Sequence, residues 1–460
     1  MRCWLIILLG LLAGCATYHP RPVSPEKTAA DFDARSLADT NLCAFLETNH
    51  VAAPDPHGPW NLKQLTLVAF YYQPTLAEAR AQWAAVEATK ITAGERPNPS
   101  VGFTPTYDTT TTPPWILTLT WDIPIETAGK RGKRIAEAEH LSEAAKWNFV
   151  SAAWQVRSHV RSALLNLYAA RRSESLVAQQ ETAQSNVVRL LEGQLAAGAV
   201  SDYVVTQARV ALETTRLARL DASGQSAQAR VQLANALGLP LHALNGVEFS
   251  FAGLDQFPRE LTKPEVRRDA ILNRADVRSA LAAYAASQSA LRLEIAKQYP
   301  DIHLGPGYEL DQTDNKWSLG VGVDLPVFNH NQGPVAEAEA NRATAAAHFL
   351  TVQTTAMAEI DSALAAYDAA LQKTATAGSL LDNLRKQVDS VRQQAQAGEV
   401  DPLTVANAET EYATGAQNQL AALVKAQDAL GQLEDAVQSP LTLPPQTISA
   451  VENQFSHDSK

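Results

Sequence analysis

The chain has 460 residues, with 49 acidic against 38 basic side chains, a formal net charge of −11 and three cysteines. That surplus of negative charge excludes nucleic acid as a partner, because nothing here can neutralise a run of phosphates. Beyond the N-terminus no stretch approaches the ~20 apolar residues of a membrane-crossing helix, so any passage through a bilayer has to be made by a β-barrel.

The N-terminus carries Arg2 and an apolar run from Trp4 to Leu12, the layout of a secretory signal too short to span a membrane. Residues 1–14 read as a signal peptide. Leu12-Ala13-Gly14-Cys15 resembles a bacterial lipobox, which implies cleavage before Cys15 and its lipidation; Ala16 lacks the aspartate of an inner-membrane retention signal, so the outer membrane is the implied address. With Cys3 removed and Cys15 acylated only Cys43 is left, and no internal disulfide is possible. Residues 15–60, rich in proline and polar residues, read as a lipid anchor and N-terminal tether.

From there the chain is written twice. Ala197-Gly198-Ala199-Val200-Ser201-Asp202 returns as Ala397-Gly398-Glu399-Val400-Asp401-Pro402, and Ile135-Ala136-Glu137-Ala138-Glu139 as Val335-Ala336-Glu337-Ala338-Glu339, at an offset of 200. Trp115, Asp122 and Pro124 return as Trp317, Asp324 and Pro326. So long a period marks a duplicated supersecondary unit. The first repeat is assigned to 61–240, a connecting equatorial segment to 241–262, the second repeat to 263–440 and a C-terminal tail to 441–460. Each repeat reads as a helix (Leu65 to Glu95, Glu265 to Gln298), two strands, and a long helical hairpin.

All four strands have one apolar and one polar or glycine face. Trp115, Leu117, Leu119 and Trp121 alternate with Ile116, Thr118, Thr120 and Asp122; Trp317, Leu319, Val321 and Val323 alternate with Ser318, Gly320, Gly322 and Asp324. In the first strands Val101, Phe103 and Tyr107 oppose Gly102, Thr104 and Thr106, while Ile302, Leu304 and Tyr308 oppose His303, Gly305, Gly307 and Glu309. A soluble sandwich has the same period, but aromatic residues at the row ends suit the two interfaces of a bilayer. The expectation is therefore lipid on Trp115, Leu117, Leu119, Trp121, Trp317, Leu319, Val321 and Val323. Water is expected on Thr118, Thr120, Asp122, His303, Glu309 and Asp324, whose carboxylates bias a bore toward cations. Four strands are too few to close a barrel, so several chains must contribute. Pro105 and Pro306, at matching places, read as bulges or edge positions.

The links 108–113 and 311–315 make each strand pair a hairpin. Lys130, Arg131, Lys133 and Arg134 open the first long helix, where positive charge opposes the macrodipole, and phospholipid headgroups are the expected counter-charge. The long helices, from about Thr127 to Leu195 and Pro334 to Ala397, are each on the order of 100 Å. Leu381, Leu384, Val388 and Val391, like Ala426, Leu430, Leu433 and Val437, carry the coiled-coil spacing. The returning helices, which run to Gly238 and Ser439, are about half as long, and the shorter helices are expected to stack on them end to end.

No His-Glu-x-x-His, paired-cysteine or Gly-x-Ser-x-Gly pattern is present, so neither a metal site, a cofactor nor an enzyme is expected. His303 either touches passing cations or is simply a tolerated polar group.

The lipobox, the duplicated order, Arg96-Pro97-Asn98-Pro99, Asn273-Arg274-Ala275-Asp276-Val277 and the glycine turns together resemble the TolC-like outer membrane efflux proteins. Residues 123–132 are similar to the CzcC-like heavy-metal branch. The resemblance implies an α+β membrane protein: a homotrimer with a twelve-stranded β-barrel and a periplasmic helical tunnel. It implies two further partners, a periplasmic adaptor and an inner-membrane pump of the resistance-nodulation-division type, with metal cations or small toxic molecules as cargo. The implied adaptor contacts are Gly198, Val200, Ser201 and Asp202 on one tip and Gly398, Val400, Asp401 and Leu403 on the other. A paired-aspartate constriction found in some members falls here on Thr404 and Asn407, which are neutral. Alternatives of different kind are the outlet of a type I protein secretion system and a non-channel, lipid-anchored periplasmic coiled coil.

Overall fold

The computed structural model describes residues 18–52, 54, 58–258 and 263–441. The signal peptide, Cys15 and the tail beyond residue 441 lie outside them. Along the chain run α1 (Pro25–Asp33), α2 (Thr40–Thr48), α3 (Leu62–Tyr72), α4 (Pro74–Gly94), β1 (Ser100–Tyr107), β2 (Trp115–Ile125), α5 (Lys130–Ala196) and α6 (Asp202–Leu237). After a short 3-10 turn come α7 (Lys263–Asn273), α8 (Ala275–Ala296), β3 (Ile302–Asp311), β4 (Asp314–Val323), α9 (Gln332–Gln396) and α10 (Pro402–Val437).

The helices form a wall of four columns. Helix α5, of 67 residues, packs against α6 and α4 on one side and α10 and α8 on the other, and α9, of 65 residues, packs on the outer side of α10 and α8. Helices α6 and α4 share one column, joined end to end. Gln73 Nε2 donates to Asn235 O at 2.8 Å, and Gly238, at φ +70°, lies against the Tyr72 carbonyl. Helices α10 and α8 share another: Arg274 Nη1 donates to Ala436 O at 2.8 Å and Ala275 N to Gln438 Oε1 at 2.6 Å. The expected end-to-end stacking is present, but each shorter helix is broken in two. Pro74 forces Gln73 into extended backbone (ψ 118°), and Arg274 takes the same conformation at the second joint.

Residues beyond 34 are no loose tether. Leu37, Leu42, Leu46, Val51 and Trp60 enter one core with Leu65, Val160, Leu164, Leu233, Leu237 and Phe249, and Trp60 pairs with Phe249 in an isolated parallel bridge. The polar composition of the segment hid an apolar i, i+4 pair, Leu42 and Leu46, on one face of α2. Arg35 reaches the joint itself, donating to Tyr72 O at 3.0 Å and Gly238 O at 2.8 Å.

The strands form one antiparallel sheet in the order β1-β2-β3-β4. Column order and strand order coincide, because β1 leaves α4, β2 enters α5, β3 leaves α8 and β4 enters α9. The sheet is a single layer whose apolar row lies open: Phe103 is 62% and Trp317 79% exposed. Among the described residues no second sheet covers it, so the soluble sandwich is not the arrangement. Pro105 lies on the edge strand β1, as expected. Pro306 is central and makes no bulge, since the register is the same at Thr120↔Gly307 and Ile123↔Leu304; its missing amide only interrupts the β2–β3 ladder.

Candidate functional site

Register assigns the faces of the sheet. Val101↔Trp121, Phe103↔Leu119, Leu119↔Tyr308, Leu117↔Leu310, Leu304↔Val321 and Tyr308↔Trp317 place one continuous apolar face across all four strands. It includes Trp115, Leu117, Leu119, Trp121, Trp317, Leu319, Val321 and Val323. Near the loop ends Tyr107 meets Trp115 edge-on at 5.0 Å between ring centroids, and Tyr308 meets Trp317 at 4.8 Å.

Thr118, Thr120, Asp122, His303 and Glu309 share the opposite face; Asp324 lies just past the end of β4, exposed. The middle of this face is nearly bare, because Gly305↔Gly320 pair there and Gly307 faces Ser318. A methyl group on Gly307 would sit 2.5 Å from Ser318 Oγ. Polar groups gather at the two ends of the strands. Toward the helices Asp122 Oδ1 lies 2.9 Å from His303 Nδ1. Toward the loops Glu309 accepts from Thr118 at 3.3 Å, and Lys316 reaches Asp311 at 2.6 Å and Glu309 at 3.5 Å.

Lys316 escaped the sequence reading because residues 311–315 looked like a loop. The turn is tighter, with Gln312 in the left-handed region (φ 58°) and Asp311↔Asp314 already paired, so β4 starts at Asp314 and puts Lys316 opposite Glu309. The signal was available: in even register with Ser318 and Gly320, Lys316 had to share their face.

The basic cluster at the start of α5 has partners within the chain. Lys130 is 7% exposed and pairs with Asp301 at 2.7 Å; Arg134 pairs with Glu126. Arg131 Nε donates to Gly94 O and Lys133 Nζ to Ala128 O, both at 2.6 Å. Asp301 and Glu126 of the same chain thus offset the unfavourable helix dipole at Lys130 and Arg134, and backbone carbonyls accept from the other two side chains. Burial raises the Glu137 carboxyl above its ordinary value, and neighbouring Glu294 adds to this against Lys297.

At the far end the two hairpins are built alike. Gly198 (φ +73°) and Gly398 (φ +77°) make the left-handed turns that a side chain resists. Asp401 caps α10 by accepting from Leu403 N, and Pro402 takes the first helical position; Asp202 opens α6 after Ser201. Gly198, Ser201, Asp202, Gly398 and Asp401 are exposed, while Val200, Val400 and Leu403 are half-buried. The tips touch each other, Gln194 Nε2 donating to Asp401 Oδ2 at 2.8 Å. Above each tip one ion pair ties the hairpin, and the pairs are charge-swapped: Glu192 with Arg209 at 2.5 Å, Arg392 with Glu409 at 2.6 Å. Thr404 and Asn407 are exposed. Among the described residues no group of three or more His, Cys, Asp or Glu is placed to hold a metal ion.

The family model described as outer membrane efflux protein matches residues 71–239 and 266–437, one match per repeat. The cobalt-zinc-cadmium resistance protein CzcC of Cupriavidus metallidurans is 27% identical over 214 residues. That stretch covers 46% of this chain and only half, 50%, of the relative's length. The fold matches the outer membrane protein VceC of Vibrio cholerae at TM-score 0.67 and 19% identity, over 82% of this chain and 95% of that one. It matches the CmeC outer membrane channel of Campylobacter jejuni at 0.63 and 17%, over 97% and 95%.

Proposed function

Because this chain belongs to the outer membrane efflux protein family, we propose that it is the outer-membrane exit duct of a tripartite efflux system and no enzyme. One observation carries the reading. The chain is an open arc with two raw edges: β1 and β4 each have a free hydrogen-bonding side, and the outer columns leave Tyr203, Val210, Leu217 and Leu220 of α6 exposed. An unpaired edge beside an uncovered apolar face is an aggregation hazard unless copies of the chain join edge to edge. Three copies would close twelve strands, with the apolar row in lipid and Thr118, Thr120, Asp122, His303, Glu309 and Asp324 lining a water-filled bore.

The helical wall, on the order of 100 Å long, would carry that bore through the periplasm. An acylated Cys15 would add an anchor in the same membrane. The tips around Gly198, Val200, Ser201, Asp202, Gly398, Val400, Asp401 and Leu403 would meet a periplasmic adaptor, and through it an inner-membrane pump of the resistance-nodulation-division type. The duct itself is passive. Its cargo is metal cations or small toxic molecules, with metals favoured by the cobalt-zinc-cadmium resistance named for the relative.

The test is purification from membranes followed by electrophoresis and planar-bilayer recording. Heat-sensitive trimer bands with stepwise conductance are expected; a monodisperse, non-conducting monomer after delipidation overturns the reading. Deleting the gene should raise sensitivity to zinc, cobalt and cadmium. Unchanged metal tolerance with hypersensitivity to lipophilic drugs removes the metal assignment and leaves the duct.

A further inference from the structure

Lys316 is the only lysine or arginine in the four strands, which also hold Asp122, Glu309, Asp311 and Asp314. Its ammonium lies between Asp311 (2.6 Å) and Glu309 (3.5 Å) on the polar face, and Thr118 fixes the other Glu309 oxygen at 3.3 Å. Asp314 pairs with Asp311 across the turn. Without the lysine, Glu309 and Asp311 would stand as a bare carboxylate pair, hard oxygen donors that attract divalent cations. A conduit fails if it holds what it conducts, because conduction requires binding weak enough to release.

We propose that Lys316 is the selectivity-setting residue of the bore's outer mouth, a tethered cation that occupies the Glu309–Asp311 pair so that the mouth attracts divalent cations without capturing them. This rests on the channel reading above. The lysine satisfies the carboxylates from within, as a resident ion would. Each chain still leaves the mouth a residual negative charge, because the three acids Glu309, Asp311 and Asp314 outnumber the lysine.

The experiment records wild type, K316Q, K316R, E309Q and the K316Q/E309Q/D311N triple variant in planar bilayers under a KCl gradient, with zinc chloride then added at the loop side. K316Q is expected to move the reversal potential toward that of potassium and to become sensitive to zinc block at concentrations on the order of tenfold lower than wild type. K316R should behave as wild type, and the triple variant should lose the added zinc sensitivity. E309Q, which leaves the lysine in place, should move the reversal potential toward chloride, a reading that does not depend on K316Q assembling. Equal reversal potentials and equal zinc sensitivity across conducting variants overturn the role of Lys316 and leave the channel standing. Absence of conductance in the wild type overturns the channel reading, and the role of Lys316 with it.

Discussion

Glu434 on α10, 0% exposed, accepts a 3.0 Å hydrogen bond from Arg157 on α5, joining the second repeat to the first across 277 residues of sequence. Arg161 adds a contact at 3.5 Å, and Gly431 makes room for it, since a methyl group there would lie 2.1 Å from Arg161 Nη1. Beside it Asp435 accepts from the Trp154 indole at 2.9 Å. A fully buried charge stripped of its partner is expensive. Glu434→Leu alone should lower the unfolding free energy by about 3–5 kcal/mol, whereas a Glu434→Leu variant with both Arg157 and Arg161 also made apolar should recover most of it. Urea unfolding followed by circular dichroism separates the two, and equal losses in both would show that the network adds nothing beyond packing.

On the sheet, Leu319→Arg should cost about 2–4 kcal/mol of barrel stability, because a guanidinium would then stand on the apolar face near mid-strand. Ser318→Arg, one residue away on the other face, should be tolerated. Folding into lipid vesicles, scored by heat-modifiable migration, gives the comparison; similar behaviour of the two variants would mean that both faces see the same solvent.

The α6–α4 joint requires glycine at 238. Its φ of +70° disfavours any side chain, and a Cβ would stand 2.9 Å from the Tyr72 carbonyl oxygen, which is backbone and cannot swing away. Gly198 at the tip has a similar φ of +73° but open space around it. Gly198→Ala should therefore lose only the left-handed penalty, about 1 kcal/mol, and Gly238→Ala distinctly more. Thermal unfolding midpoints in the same detergent provide the check.

Acid sensitivity is expected at the second joint. Burial alone would raise the Asp276 carboxyl, but the hydrogen bonds and charge of Arg274 outweigh it and hold the group below its ordinary value. A depressed carboxyl contributes stability that is complete above the unfolded value near pH 4 and disappears as pH falls through the lower folded value. Asp276→Asn should thus lower the unfolding midpoint at neutral pH and narrow its difference from wild type as pH is taken below about 4. A difference that stays constant down to pH 3 would assign the effect to packing.

The elements were legible because their signals are local. Alternation gave the faces of β2 and β4 residue by residue, the absence of proline gave the long helices, and Gly198 and Gly398 gave the turns. What local signals did not reveal was the identity of distant partners. The carboxylate that meets Lys130 was hidden because Asp301 lies 171 residues away. Leu37, Leu42 and Leu46 looked like a tether because the core they join is supplied by α5, α6 and the segment near Phe249.

The duplication shows the same division most sharply. Offset by 200, Arg157, Arg161, Gly431 and Glu434 correspond to Met357, Asp361, Val231 and Ala234, so the backbone plan is repeated and the buried ion pair is not. By itself the sequence determined the repeat, the two-sided strands and the long hairpins, because periodicity is a property of neighbours along the chain. Only the tertiary structure decided which seam is locked by charge, which carboxylates Lys316 meets and where each short helix breaks at its joint. Those depend on which distant groups are buried together, where a hydrogen bond or counter-ion within about 3 Å outweighs any local preference.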